Sequence, residues 1–483
     1  LSLSLSLSLS LSPSLPLSLF SMHPQDGAAY SRSAANDCGE TAARSQVQPG
    51  TFYVYSEKSL GEKCRLHEQC YHGESWVSQH LSERGLRRVP RWSEAEFVWT
   101  FSAEYGYNLS IIQDTQAVNH IGNVFQLLAD KGKLFSTVRK YNSVAGCSGG
   151  FASPLPWTAD VADAAQCGAL VQRLRAGPAG PWLLKPRAGS GGSGIRLFQS
   201  GRELLDDVLG HAGAGGGAAG CREFSAGEAD VAQEYIANPL TLKALHGRKF
   251  NLRAYALISS VKPFVAFMHR DGYAGTSMHK YNASAEDLGV HLTGMHTQAK
   301  DTAYDAEERV ISWGRLASMI EEELQGVEVV TGGLPFIEWL RQQTKRVVLW
   351  LLYSAKPGLV GSRGSFNVLA FDLLLDDQMR LWVLEANAYP WLSWETEWGK
   401  TWMHGLIDEM LDIQLEVFDK KRAGKRLESL ESPQAWEVIA NEDSGEELFP
   451  YGSCPEELSA RPAEPFRLSA PPRRKGRKAS TSR

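Results

Sequence analysis

The hydrophobic run Trp382-Val383-Leu384-Glu385-Ala386-Asn387 places the tightest limit on how this chain folds. Strand alternation puts Glu385 and Asn387 on the same face. The run returns towards Phe371-Asp372 across a tight Asp376-Asp377 turn, so the pattern predicts a hairpin with Asp372 on the neighbouring strand. Two carboxylates and an amide oxygen at the end of such a hairpin suit Mg²⁺, which typically takes one or two carboxylates together with substrate phosphates. The plain alternative is a strand-edge charge at Asp372 and a buried, paired acid at Glu385.

Upstream, Trp182-Leu183-Leu184-Lys185-Pro186 leads into a loop carrying Gly189, Gly191, Gly192 and Gly194. The spacing satisfies G-x-G-x-x-G, but a dinucleotide site needs a helix straight after the glycines. Here Ile195-Arg196-Leu197-Phe198 follows, a strand-like run, and helical periodicity begins only around Glu203 to Leu209. No G-K-[ST] closes the loop, so it is not a Walker A loop either. The pattern predicts a β-hairpin whose backbone N–H groups fold over phosphates, with Lys185 as a mobile point charge. A flexible surface hairpin with a snorkelling lysine is the alternative.

Between these two hairpins, Val231-Ala232-Gln233-Glu234-Tyr235-Ile236 is short and strand-like, suited to offering main-chain groups to an adenine ring. It is followed by Arg248-Lys249-Phe250-Asn251-Leu252-Arg253. Alternation puts Lys249, Asn251 and Arg253 on one face and Phe250 and Leu252 on the other. Two cations on one strand face call for a solvent exit or an anion, and Arg and Lys are the usual binders of polyphosphate.

The order is therefore lysine strand, glycine hairpin, hinge strand, basic strand, then Asp…Glu-x-Asn. It resembles the ATP-grasp ligases, and more narrowly the tubulin–tyrosine ligase-like family. The resemblance rests on Leu184-Lys185-Pro186 with the glycine loop, Gln233 to Leu240, Arg248 to Arg253, His291-Leu292-Thr293, and Phe371-Asp372 with Leu384 to Asn387, and it covers roughly residues 119 to 420. It implies an α/β (α+β) ATP-grasp fold. It implies that Lys185 and Lys249 neutralise ATP phosphates, that Gln233, Glu234, Tyr235 and Ile236 line the adenine pocket, and that Asn251 lies at the nucleotide. Arg253 would steady the γ-phosphate or an acyl phosphate, and Asp372, Glu385 and Asn387 would hold Mg²⁺. Lys131, His291 and Thr293 would lie near substrate, with Asn119 and Lys131-Gly132-Lys133-Leu134 a looser match to the family's substrate segment. The implied reaction joins an amino acid, by family base rate glutamate and otherwise tyrosine or glycine, to a carboxylate of tubulin or of another protein. ATP, Mg²⁺, a free amino acid and the acidic tails of tubulin or microtubules are the implied cofactors and partners. The expected setting is the cytoplasm and cytoskeleton, including the cilium or basal body, with a monomeric chain and neither nucleic acid nor membrane as partner.

Three positions depart from the family pattern. Asn251 stands where Asp is usual, Gly294 follows His-Leu-Thr where Asn is usual, and Gly275 stands where an arginine is usual. Losing a carboxylate, an amide and a cation would weaken transition-state stabilisation, where one such group is typically worth a few kcal/mol. Arg270 or His279 could compensate. A catalytically impaired relative that still binds tubulin is thus the second expectation.

The 483 residues allow two or three domains, and the composition, 43% apolar and 22% charged with net charge −5, is that of an ordinary globular chain. No Ser/His/Asp or Cys/His nucleophile set stands out. The alternating Leu and Ser of residues 1 to 19 lack a basic n-region and an unbroken apolar run, so the stretch reads as a poor signal peptide, too polar to span a bilayer. The expected divisions are a low-complexity leader (1–50), an N-terminal α/β domain (51–118), a central lid domain (119–240) with a mobile glycine-rich insertion at 213–217, a catalytic domain (241–422) and a disordered basic tail (423–483). The closing run Pro471 to Arg483 contains no acid and suits an acidic polymer or a nuclear address. Seven scattered cysteines show no framework and predict a reducing compartment. Cys64, His67, Cys70 and His72 make at most a zinc half-site of non-standard spacing.

Overall fold

The computed structural model describes residues 47–54, 74–99, 112–147, 153–177, 180–187, 191–209 and 229–455, apart from 325, 393 and 395. The Leu/Ser leader, the Cys64–His72 segment, Gly189, the 213–217 insertion and the basic run from 471 lie outside the described residues.

Among the described residues the strands form three sheets. The first is parallel, in the order Gly364–Ser365, Ala117–Val118, Ala95–Trp99, Gln48–Val54, Arg87–Arg88. The second is antiparallel, in the order Thr158–Asp160, Ala229–Glu234, Trp182–Pro186, Arg196–Phe198. It contains the glycine hairpin as the sequence predicts, with the helix delayed to Gly201–Leu209.

The third sheet is organised by the basic strand Arg248–Ser260. The acid strand Asn367–Leu375 runs along one edge, with Leu381–Asn387 beyond it. The other edge is shared by Tyr273–Lys280 at the start of the basic strand and Val265–His269 at its end. Even-numbered residues of the basic strand (Phe250, Leu252, Ala254, Ala256, Ile258) pack in the core beside helix Phe336–Ala355, whose last nine residues are all buried. Odd-numbered Tyr255 and Leu257 pack beneath helix Glu397–Arg422. Lys249, Asn251 and Arg253 lie on that odd face, ahead of Tyr255. One strand is thus core on both sides at one end and polar on one side at the other.

The lid sheet is pinned to the acid hairpin just past the hinge strand. Leu240 N donates to Leu375 O at 2.8 Å and Asp377 N to Asn238 O at 2.9 Å. Both helices expected from apolar stripes, 336–353 and 402–418, are present within these longer elements.

Two expectations are corrected. The chain from 423 is not a tail throughout: Trp436–Asn441 pairs with Val265–His269 as part of the third sheet. Its short apolar run (Trp436, Val438, Ile439, Ala440) is hidden among polar and proline-bearing neighbours. The cysteines are not all unpaired: Cys147, beyond helix Lys131–Val144, is bonded to Cys454. The two lie 307 residues apart, a separation that spacing rules do not reach. No helix of the described residues is long and apolar enough to cross a membrane.

Candidate active site

Lys185 projects from the lysine strand and is 8% exposed. Its Nζ donates to Gln233 Oε1 on the adjacent hinge strand at 2.6 Å, and Gln233 Nε2 donates to Thr158 Oγ1 at 3.1 Å. Lys249 on the basic strand is equally hidden, 5% exposed. Its Nζ donates to Tyr235 Oη at 3.0 Å and lies 4.4 Å from the centre of that ring. Tyr235 Oη is 2.8 Å from His291 Nδ1, and His291 Nε2 is 2.8 Å from Ala285 O.

Burial disfavours the charged lysines. Lys249 is pushed down to about 7, by burial first and by the charge of Lys185 second. Lys185 is pushed down to about 8, chiefly by burial, with Lys131 adding and Glu385 and Asp372 opposing. Two buried ammonium groups that feel each other, with no acid among the described residues within ion-pair distance of either, form a place for a multiply charged anion.

Opposite them the acid hairpin has the register the sequence predicts: Asp372 pairs with Glu385 and Ala370 with Asn387. Asp372 accepts from Arg253 Nη1 at 2.6 Å, from Asn387 Nδ2 at 3.1 Å and from Asn251 Nδ2 at 3.2 Å. Burial pushes its pKa up; Arg253 opposes this and Glu385 adds to it. Burial works against ionised Glu385 as well, but Lys131 and Lys185 outweigh it and hold Glu385 below its usual value. Lys131 Nζ lies 3.9 Å from Glu385 Oε2. It stands in the first turn of its helix, whose N-cap Asp130 accepts from Gly132 N and Lys133 N.

The glycine loop rests on the short helix Met295–Gln298. Gly191 and Gly192 adopt φ of +62° and +76°, and a Cβ on either would lie 2.6 Å from His296 Cδ2 or 2.7 Å from Thr297 Oγ1. Only glycine meets both demands, left-handed backbone and contact with the neighbouring helix. Gly191 and Gly192 therefore lie against the end of the cleft that holds His291 and Thr293.

The structure brings together Lys185, Gln233, Tyr235, Lys249, Asn251, Arg253, His291, Thr293, Asp372, Glu385, Asn387 and Lys131. Glu234 turns its side chain to the opposite strand face, where it accepts from Arg173 Nε at 2.9 Å, so only its main chain adjoins the cleft. Ile236 is half-buried just past the strand. Of the two suggested substitutes for the missing cation, Arg270 is half exposed beside Asp271 and His279 is paired with Asp301 at 2.5 Å. Neither joins the cluster. Arg309 does, donating from Nη2 to Thr293 O at 2.6 Å. Sequence reading missed it because it sits in a four-residue helix, Ala306–Arg309, with no motif around it.

No cluster of three or more His, Cys, Asp or Glu suited to a metal occurs among the described residues. Two acids and an amide nonetheless fit Mg²⁺, whose shell is normally completed by phosphate and water. The upward push on Asp372 by Glu385 is the kind of repulsion that a divalent cation relieves.

A lid sheet closing by a glycine hairpin over a second sheet that carries basic and acidic strands defines the ATP-grasp class. The chain belongs to the tubulin-tyrosine ligase family, whose family model matches residues 112–423. It is 30% identical over 285 residues to the inactive polyglycylase TTLL10 of Homo sapiens, covering 56% of this chain and 40% of that protein. It is 30% identical over 291 residues to the protein polyglycylase TTLL10 of Macaca fascicularis, covering 56% and 44%. It is 26% identical over 318 residues to the probable tubulin polyglutamylase TTLL9 of Bos taurus, covering 59% and 64%. The matches thus span less than half the length of the two polyglycylases.

Proposed function

We propose that this chain is an ATP- and Mg²⁺-dependent carboxylate–amine ligase that adds an amino acid to tubulin. The observation that carries the reading is the meeting, in one cleft, of two buried lysines with an Asp–Glu–Asn hairpin. Lys185 and Lys249 would take the phosphates of ATP, whose negative charge favours the protonated amines that burial disfavours. Asp372, Glu385 and Asn387 would hold Mg²⁺, which would supply neutralising charge to the phosphates. Arg253, fixed by Asp372, would stand at the transferring phosphoryl group. An acceptor carboxylate attacks the γ-phosphorus and ADP leaves; the amine of the incoming amino acid then displaces phosphate from the acyl phosphate. Such chemistry needs alignment and electrostatics more than a protein nucleophile.

The family base rate favours glutamate, and two relatives whose names specify polyglycylase put glycine beside it. Purified chain with ATP, Mg²⁺, tubulin and labelled glutamate or glycine, read by mass shift, tests the reading. Incorporation that disappears in Glu385→Gln supports it.

A second reading, a ligase-fold protein that binds tubulin without turnover, is favoured by Gly275 and by the word "inactive" in the name of the human relative. ATP binding with no incorporation of any amino acid supports it. For either reading we place the chain in the cytoplasm, on the cytoskeleton.

A further inference from the structure

We propose that Arg309 is a positioning residue of this cleft. It holds Thr293, and through Thr293 the amide of Asn251, in the orientation that presents an N–H to Asp372. This rests on the nucleotide- and Mg²⁺-binding part of the proposed function.

Strand register delivers Arg309 to this place. Asp305 caps the short helix Ala306–Arg309, accepting from Glu307 N at 2.9 Å and Glu308 N at 3.3 Å. The next residue, Val310, pairs with Gly275, and Gly275 pairs in turn with Asn251 of the basic strand. Arg309 therefore arrives beside the Gly275–Asn251 rung. A Cβ on Gly275 would lie 3.3 Å from Arg309 Nη2 and 3.2 Å from Asn251 Oδ1. The side-chain-free position leaves the room that the guanidinium fills.

Arg309 is 2% exposed. Its Nη2 donates to Thr293 O at 2.6 Å and its Nε to Thr276 O at 3.4 Å. Among the described residues no carboxylate lies within ion-pair distance of it. The guanidinium carbon also lies 5.8 Å from the centre of the Tyr304 ring. A cation buried with no acid beside it is costly, and here it fixes one peptide whose side chain faces the site. Thr293 Oγ1 donates to Asn251 Oδ1 at 2.8 Å. An amide whose oxygen is thus engaged has its NH₂ left to donate, and Asn251 Nδ2 donates to Asp372 Oδ1 at 3.2 Å. The relay Arg309, Thr293, Asn251, Asp372 decides which end of an otherwise reversible amide meets the acid.

The plain rival is that Arg309 only fills space. Three variants of the full chain separate the two: Arg309→Met, which keeps the stem and removes the charge, Thr293→Val, and the double variant. The readout is the Mg²⁺ concentration that half-saturates binding of a fluorescent ATP analogue. Outer-shell partners of a metal site typically carry about 10–100-fold in affinity, so each single variant should raise the half-saturating Mg²⁺ about 10-fold or more. The double variant should be no worse than the worse single one, because the two act in series. Thermal unfolding checks that each variant is folded, and Thr293→Val decides the matter alone if Arg309→Met is not. Folded variants that take Mg²⁺ and nucleotide as the wild type does overturn the role of Arg309 and leave the ligase reading intact. A wild type that binds no nucleotide in Mg²⁺ overturns that reading itself, and this one with it.

Discussion

Asp372 and Glu385 face each other across one rung of the acid hairpin, yet their cations differ in grip. Asp372, with its side chain 13% exposed, is held by Arg253 Nη1 at 2.6 Å; Glu385, 35% exposed, has Lys131 Nζ only at 3.9 Å. Asp372 is thus fixed by the protein, whereas Glu385 retains lone pairs for a ligand. The two acids should respond differently to loss of charge.

Glu385→Gln should leave the fold intact and weaken Mg²⁺-dependent nucleotide binding by about 100-fold or more, the upper end for partners of a metal site. Asp372→Asn strips Arg253 of its buried partner and should also destabilise the chain, by about 3–5 kcal/mol. Calorimetry with nucleotide and Mg²⁺, beside thermal unfolding, tests the contrast; equal stability losses in the two variants contradict it.

The lysines give a pH dependence of definite sign. The pKa of Lys249 falls from 10.5 in the unfolded chain to about 7 in the fold. Between those values the unfolded chain binds more protons, so unliganded stability should rise with pH above about 7 and be flat, for this group, below it. One lysine contributes at most about 1.4 kcal/mol per pH unit. Lys185, at about 8, acts in the same direction from a higher pH. Nucleotide affinity should run the opposite way, falling as pH rises, because a polyphosphate needs the protonated amines. Lys249→Met should flatten both trends; identical slopes in wild type and variant would rule the assignment out.

Gly399→Ala should damage the packing beside the cleft. A Cβ there would lie 1.2 Å from Trp394 Cδ1, and Trp394 packs on Tyr273 with ring centres 4.4 Å apart. Overpacking of this kind typically costs about 1–3 kcal/mol. A thermal midpoint unchanged from wild type would show that the indole moves without strain.

Gly294→Asn should be harmless. Gly294 is the N-cap of Met295–Gln298 with no side-chain cap, at φ −63°, and a Cβ there meets nothing within 4 Å. Asparagine in place of a glycine cap is worth a few tenths of a kcal/mol. Nucleotide binding should not change, which would remove this departure from the reasons for impaired activity.

Much of the cleft was legible because its residues sit on strands, where a period of two fixes the face. The Asp372–Glu385 rung, the split of Lys249, Asn251 and Arg253 from Phe250 and Leu252, and the strand after the glycine loop all follow from alternation. What alternation cannot reach is contact between distant segments. Arg309 enters through the register of a three-residue strand, Glu234 turns away because its neighbour Gln233 faces Lys185, and Trp436–Asn441 is recognisable as a strand only beside Val265–His269. The same holds for Gly275: the sequence marks a missing cation, and only the fold places another one beside the gap.

The Cys147–Cys454 bond closes residues 147 to 454 into a covalent ring, from just past the helix of Lys131 to the last described segment. A protease nick at any peptide bond inside that ring leaves the halves fastened together. The fragments should co-migrate in a denaturing gel and part only when a thiol reductant is added.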